Sequence, residues 1–274
     1  MTLHCAFIGF GKSTTRYHLP YVLNRKETWH VAHIYRRRAK PEEQSPQYSH
    51  IHFTSDLDEV LNDPLVKLVV VCTHADSHFE YAKKALEAGK NVLVEKPFTP
   101  TLEEAKTLFA LANSKGLTVT PYQNRRFDSC FLTTKKVIES GKLGELVEIE
   151  SHFDNYRPLA ETNPGGPQNG EFYGLGVHTL DQIISLFGRP DHVSYDLRSL
   201  RNKANPDDTF EAQLFYGDMK AIVKTSHLVQ IDYPKFIVHG HKGSFVKYGI
   251  DQQETSLKAN IMPGEPGFGA DDSV

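Results

Sequence analysis

Short apolar segments alternate with amphipathic ones through the first 122 residues of the chain. The short segments have the length of buried strands, and the segments between them repeat their apolar residues at helical spacing. This alternation is typical of a parallel sheet with helices on both faces. The predicted strands are Leu3–Ile8, His30–Tyr35, Ile51–Phe53, Leu68–Cys72, Asn91–Val94 and Leu117–Thr120.

Residues that start and stop helices separate these strands. Asp76 is predicted to cap a helix that Gly89 ends. Thr101 and Glu104 form a capping-box pattern at the start of the next helix, and Gly116 is predicted to stop it. The first part of the chain is therefore predicted to be an α/β domain.

The pattern changes after Tyr122, where we place the boundary between a domain of residues 1–122 and a domain of residues 123–274. The second domain is predicted to be rich in strands, with a Gly-Asp hairpin turn at Gly217 and Asp218. Several of its strands carry apolar residues on both faces, so one face needs a partner. Its predicted elements are helices near Thr133–Ser140 and Gly176–Phe187, a loop at Arg157–Gly170, and strands at Val147–Phe153, His192–Leu200, Thr209–Tyr216, Met219–Leu228, Phe236–His239 and Ser244–Tyr248.

Composition narrows the class of protein. A hydrophobic content of 39%, a charged content of 24% and a net charge of -3 describe a globular protein with no electrostatic preference for nucleic acid or an anionic membrane. Cys5, Cys72 and Cys130 lack the spacing of a disulfide framework or zinc site, and the dispersed histidines suggest no metal site. We expect no signal peptide, no transmembrane span and a cytoplasmic location.

The first strand is followed by a glycine turn that opens a helix. Gly9 and Gly11, followed by Lys12 and Ser13, stand where a Rossmann fold binds the pyrophosphate of a dinucleotide. Thr14 replaces the third glycine of that pattern, and an ordinary strand–helix turn is the alternative. The same residues match a loose nucleotide-triphosphate P-loop, but a P-loop needs its variable residues in the loop rather than in a strand.

Basic residues follow the second strand, where NAD-specific folds usually place an acid that binds the ribose 2′-hydroxyl. Arg36, Arg37, Arg38 and Lys40 occupy this stretch instead. A solvated charge run is the alternative for any single arginine. The cluster favours a 2′-phosphate, so the sequence predicts NADP, with NAD as the alternative.

Two further residues are candidates for catalysis. Lys96 follows the strand Asn91–Val94, and ligands bind outside the carboxyl ends of strands in open α/β sheets. His178 lies on the helix that follows the Gly/Pro-rich loop. Taken alone, Lys96 could equally be a solvated loop lysine, and His178 could equally be a structural histidine.

Together these motifs resemble the Gfo/Idh/MocA family of oxidoreductases over essentially the whole chain. The resemblance rests on Thr73–His78, Ala85–Lys90, Glu95–Pro97 and Gly174–Asp181, which are similar to the family's T-P-N-x-x-H, A-L-x-A-G-K, E-K-P and D-x-G-x-H-x-x-D motifs. His74 and Ala75 depart from the first motif, and Gly174 stands in place of the last motif's aspartate.

The resemblance implies a dinucleotide domain and an α/β domain whose large, open, mainly antiparallel sheet makes a homodimer. It implies hydride transfer between a nicotinamide ring and a carbinol carbon of a sugar or polyol. Lys96 would lie beside the nicotinamide, and His178 would exchange the hydroxyl proton. The other residues that it suggests are Thr73, His78 and Glu95 for the cofactor, and Arg125, Arg157 and Asp181 for the substrate.

Two departures keep other functions open. The family aspartate normally assists the lysine and the histidine, so Gly174 makes a non-catalytic NAD(P)-linked ligand sensor an alternative. A glycoside hydrolase that uses bound NAD for a transient oxidation is a second alternative. Family members also continue beyond the position matching Val274, so the resemblance implies a shortened C-terminus.

Overall fold

The computed structural model describes residues 2–271, which form two compact units. The first unit comprises the chain up to Tyr122 together with Asn260–Pro266. The second comprises Gln123–Ala259 together with the residues from Gly267 onward. The chain therefore returns briefly to the first unit near its end.

The first unit is built on a six-stranded parallel sheet in the order β3-β2-β1-β4-β5-β6. This doubly wound order confirms the predicted Rossmann-like fold, and its topological switch point lies between β1 and β4. The strands are β1 Leu3–Ile8, β2 Trp29–Tyr35, β3 His52–Thr54, β4 Val66–Val71, β5 Asn91–Val94 and β6 Val119–Pro121. The α-helices are α1 Leu19–Leu23, α2 Leu57–Asn62, α3 His78–Glu87 and α4 Leu102–Ser114, and a π-helical turn, Thr14–His18, leads into α1.

The helix boundaries follow local capping chemistry, with one exception. Thr101 accepts a hydrogen bond from the Glu104 amide, and the Glu104 side chain accepts one from the Thr101 amide, as the capping box predicts. The predicted cap at Asp76 is wrong, because Ala75–Ser77 form a 3₁₀ turn and α3 begins one residue after Ser77.

Two apolar clusters fill the two faces of the first sheet. Successive strand residues point to opposite faces, so the fully buried Ala6 and Ile8 pack with α3 and α4 while Cys5 and Phe7 pack with α1. Burial on both faces explains why these strands read as continuous apolar runs.

The second unit contains a mixed, mostly antiparallel sheet in the order β12-β11-β7-β10-β9-β8, in which only β7 and β10 are parallel neighbours. Its strands are β7 Leu146–His152, β8 His192–Arg198, β9 Thr209–Tyr216, β10 Met219–Ser226, β11 Phe236–Gly240 and β12 Gly243–Lys247. Its α-helices are α5 Ser129–Glu139, α6 Val177–Phe187 and α7 Gln252–Lys258. A hairpin pairs Tyr216 with Met219, with Gly217 at a φ of 60°.

The two faces of this second sheet differ. One face, including Phe210, Ala212 and Leu214, packs on α5 and α6. The opposite face carries ion pairs, such as Lys220 with Glu148 at 2.6 Å, beside the half-buried Phe215. The open face is therefore mixed rather than uniformly apolar. Among the described residues, no helix is both long and apolar enough to cross a membrane.

Candidate active site

The turn after β1 has a backbone that only glycine suits. Gly9 has a φ of 109°, and a Cβ atom there would lie 2.5 Å from the carbonyl oxygen of Cys72. At Gly11, by contrast, an added Cβ would meet no atom of the described residues within 4 Å, so that side of the turn is open. The Thr14 hydroxyl donates to the Gly9 carbonyl at 2.8 Å. Thr14 thus braces the turn at the position where the pattern has its third glycine.

This turn is one wall of a cleft of about 940 Å³ at the carboxyl edge of the first sheet. Lys12 and Ser13 line it beside the glycines, and Cys72 and Thr73 line it at the end of β4. A cleft at the switch point, with a glycine turn at the start of a helix, has the form of a dinucleotide site. Phe7 and Ile8 are fully buried within β1, which excludes the P-loop alternative.

The basic residues after β2 line the same cleft but have different partners. Arg36 makes two hydrogen bonds to Glu43, of 2.7 and 3.0 Å, and the Glu43 carboxylate raises the pKa of Arg36. The Lys40 Nζ donates to the Phe10 carbonyl at 2.5 Å, which ties the basic stretch to the glycine turn. Arg37 and Arg38 are exposed at the cleft. These two arginines are therefore better placed than Arg36 to receive an added phosphate.

Glu95, directly after β5, accepts hydrogen bonds both from the glycine turn and from the backbone of Lys96. One carboxylate oxygen accepts from the Ser13 hydroxyl at 2.5 Å and from His18 Nε2 at 2.9 Å. The other accepts from the backbone N–H of Lys96 at 3.1 Å. The structure thus places Glu95 behind Ser13 rather than on the wall of the cleft, while the half-buried Lys96 stands at the carboxyl end of the strand.

His18 is a buried cation in this arrangement. Burial disfavours its charged form, but interactions with Cys72 and Glu95 outweigh that penalty and raise the pKa of His18 to about 9. Burial opposes ionisation of Glu95, but hydrogen bonds from His18 and Ser13 leave its pKa lowered. His18, Cys72 and Glu95 also bring three possible metal-ligand atoms within 4.8 Å of one another, a grouping that the sequence spacing did not indicate. The mutual hydrogen bonds already satisfy the carboxylate.

His78 connects the first motif of the resemblance to the E-K-P segment. Its ring nitrogens lie 2.8 Å from the Pro97 carbonyl oxygen and 3.0 Å from the Thr73 carbonyl oxygen. The side chain is almost fully buried beneath the cleft rather than lining it. His78 therefore fixes the backbone on either side of the site, while Thr73 lies on the wall itself.

The second unit holds the remaining predicted residues. His178 is buried near the start of α6. Asp181, one turn later, accepts two 2.7 Å hydrogen bonds from Arg126. Arg125 is ion-paired with Asp128 at 3.0 Å and Glu254 at 2.8 Å. The structure therefore engages both Asp181 and Arg125, predicted to bind substrate, in ion pairs within the unit.

Arg157 lies on the loop that precedes α6, with an exposed side chain. Its backbone N–H donates to the His227 carbonyl at 2.8 Å, and its own carbonyl accepts from Arg201 at 2.9 Å. The loop is thus attached to the segment after β10, which holds the Arg157 backbone in place.

Sequence profiles of two domains match nearly the whole chain. The profile described as the oxidoreductase family's NAD-binding Rossmann fold matches residues 3–123, and that of the family's C-terminal α/β domain matches residues 135–274. The chain belongs to the Gfo/Idh/MocA family of oxidoreductases. Its first unit accordingly matches the family's NAD-binding Rossmann domain.

Individual family members resemble the chain over its full length. The oxidoreductase YhhX of Escherichia coli is 88% identical over 100% of this chain and 79% of its own. IolW of Bacillus subtilis, named a scyllo-inositol 2-dehydrogenase (NADP(+)), is 35% identical over 98% of this chain and 75% of its own. The names of both relatives agree with an oxidoreductase.

Solved structures of the family share the fold. The crystal structure of the oxidoreductase yhhX has a TM-score of 0.97 at 88% identity, and covers 99% of this chain and 79% of that one. An oxidoreductase from Bacillus cereus has a TM-score of 0.95 at 51% identity, and covers 99% of this chain and 78% of that one.

Several residues that surround the glycine turn and the basic stretch were missed from the sequence. His18 and Cys72 contribute through contacts with residues far away in the chain, whereas Glu43 contacts Arg36, and no local motif marks any of the three. Of these three residues, only Glu43 could have been found from the sequence, because an acid that closely follows a run of cations is a candidate ion-pair partner. Thr14 could have been recognised as a hydroxyl able to brace the turn it follows.

Proposed function

We propose that the protein transfers a hydride between NADP and a hydroxyl-bearing carbon of a sugar, polyol or related compound. The observation that carries this proposal is the cleft that joins the glycine turn to exposed arginines after β2. The NADP-linked activity in the name of IolW supports the same assignment.

The preference for NADP follows from charge. Arg37 and Arg38 present two cations where an acid would otherwise repel a 2′-phosphate. Glu43, which follows the basic stretch, is ion-paired with Arg36, and this pairing weakens its repulsion of a phosphate. A charge-assisted arginine–phosphate contact contributes about 1.5–3 kcal/mol, which is roughly a tenfold to hundredfold gain in affinity.

Fluorescence titration with NADPH and NADH tests this preference. Arg37→Gln and Arg38→Gln should each weaken NADPH by about tenfold or more and leave NADH unchanged. Arg25→Gln is the matched control, because Arg25 is an exposed arginine of the same unit on the turn after α1. Equal affinity of the unaltered protein for the two cofactors would overturn the choice of NADP.

The chain's own residues have separate roles in the proposed reaction. Bound NADP supplies the nicotinamide carbon that accepts or returns the hydride. Lys96, held by its backbone at the end of β5, stabilises negative charge on the substrate oxygen. His178 exchanges the hydroxyl proton, since hydride departure from carbon must be matched by loss of that proton.

A survey of sugars and polyols for NADP reduction tests the reaction. Bound ligand without net NADPH would favour a sensor, and cleavage of a glycoside without net NADPH would favour a hydrolase.

We also propose a homodimer through the open face of the second sheet. The face combines ion pairs with half-buried apolar residues such as Phe215 and Ile222, a composition suited to a partner. A stable interface would bury more than about 2,000 Å². Sedimentation at micromolar concentration should show a dimer, and a monomer would count against it.

The three free, buried cysteines are consistent with the cytoplasmic location that we propose.

A further inference from the structure

One face of the helical segment that carries His178 holds an acid that the family motif does not predict. A π-helical turn, Phe172–Gly176, continues directly into α6. Residues three and four apart in a helix are neighbours on its surface. Gly174 lies four residues before His178, and Glu171 is the residue that precedes the π-helical turn.

The Glu171 carboxylate fills the space over Gly174. If Gly174 carried a Cβ atom, that atom would lie 3.1 Å from Oε2 of Glu171. The side chain of Glu171 therefore bends forward along the helix. Side chains of a helix lean toward its N-terminus, so His178 leans back toward the same turn. The carboxylate thus occupies the space of a side chain at position 174, one helical turn before the buried His178.

Hydrogen bonds and an ion-pair contact hold Glu171 in place. Its backbone N–H donates to the Asp207 carbonyl at 2.9 Å, and the Asp207 side chain accepts from the Phe172 amide at 2.7 Å. Oε1 lies 3.3 Å from Nε2 of His227. Burial lowers the pKa of His227 to about 4, aided by the charge of Arg201 and also of Arg157, so His227 is neutral at neutral pH. Burial raises the pKa of the other neighbouring acid, Asp207.

We propose that Glu171 is the positioning carboxylate for His178, delivered from one helical turn earlier than the family motif places it. The carboxylate accepts a hydrogen bond from the His178 ring, directly or through one water, and stabilises the imidazolium that forms when His178 takes the hydroxyl proton. The alcohol then loses its hydride to the cofactor and its proton to His178, which leaves a carbonyl. This inference rests on the proposed oxidoreductase reaction, but the effect of Glu171 on the His178 ring can be measured without turnover.

The deciding experiment is an NMR titration of the His178 ring, with its signal assigned through His178→Gln. Glu171→Gln removes the negative charge and should lower the pKa of His178 by about one unit, because an adjacent anion favours the imidazolium. Glu161→Gln is the matched control, since Glu161 is an exposed acid of the preceding loop and should leave that pKa unchanged. An unchanged His178 pKa in Glu171→Gln would overturn the proposal, whether or not a substrate has been found.

A kinetic arm applies once a substrate is known. Glu171→Ala should lower kcat by about tenfold to hundredfold and move the acid limb of the pH–rate profile to lower pH, with cofactor affinity unchanged. Adding Gly174→Asp to Glu171→Ala returns a carboxylate to the same volume and should recover most of the loss. Failure to recover would contradict the assigned position. A protein that shows the NMR shift but oxidises no polyol would refute the proposed reaction and leave the Glu171–His178 pair standing.

Discussion

His18, buried with Cys72 and Glu95, which both raise its pKa, should make the stability of the first unit depend on pH in a defined window. The His18 pKa of about 9 in the folded protein compares with an ordinary value of 6.5, and each unit of difference is worth about 1.36 kcal/mol. The raised pKa therefore corresponds to about 3 kcal/mol of folding free energy. Because the side chains of His18 and Glu95 are at least nine-tenths buried, solvent does not screen the pair.

The direction of the effect follows from which state binds the proton more tightly. A pKa that is raised on folding stabilises the native state fully below the unfolded value of 6.5. That contribution is lost as the pH rises through about 9. Glu95 has a lowered pKa, so its contribution is present above its unfolded pKa and is lost only in acid. Between these limits the ion pair is intact.

Urea unfolding of His18→Gln against the unaltered protein, followed from pH 6 to pH 10, measures this contribution. Trp29 is the single tryptophan and lies in β2, so its fluorescence reports on the first unit. Glutamine can still donate to Glu95 but carries no charge. The variant should be less stable by about 3 kcal/mol near pH 6 and should match the unaltered protein at pH 10.

The matched control uses another histidine–glutamate pair at nearly the same distance. His52 and Glu59 lie 2.8 Å apart but are about half exposed, and exposed pairs contribute little. His52→Gln should therefore show no comparable dependence on pH. A difference between His18→Gln and the unaltered protein that stays constant from pH 6 to pH 10 would refute the charged-pair reasoning.

Two further predictions concern the cleft and the reaction. Gly9→Ala should abolish cofactor binding or prevent folding, because its Cβ would lie 2.5 Å from the Cys72 carbonyl oxygen and the φ of this residue is 109°. Calorimetry with NADPH measures the binding, and a melting curve measures the folding. Normal binding by this variant would contradict the geometry of the turn. Lys96→Met and His178→Gln should each lower kcat on the true substrate by ~10²–10⁴-fold with little change in cofactor affinity. Near-normal turnover of either variant would remove that residue from the mechanism.

Much of the fold follows from local sequence. β1, β5 and β9 match their predicted limits. The first two are short apolar runs, whereas β9 alternates buried and half-buried residues, as a strand with one covered face does. Thr101 caps α4 as predicted, since a capping box joins residues only three apart. Asp76 failed as a cap because the 3₁₀ turn at Ala75–Ser77 moved the start of α3, a choice that its immediate neighbours do not encode.

The glycine turn, the basic stretch after β2 and the strand that ends before Lys96 could all be placed from the sequence, because each depends on residues adjacent in the chain. Tertiary structure alone decided how their side chains are used. Arg36 turns to Glu43 across a loop, and His18 reaches Glu95 although 77 positions separate them. Glu171 fills the space that Gly174 leaves open. Hydrophobic periodicity sets which elements form, whereas charge pairing depends on which of these elements pack together, and that becomes defined only in the folded chain.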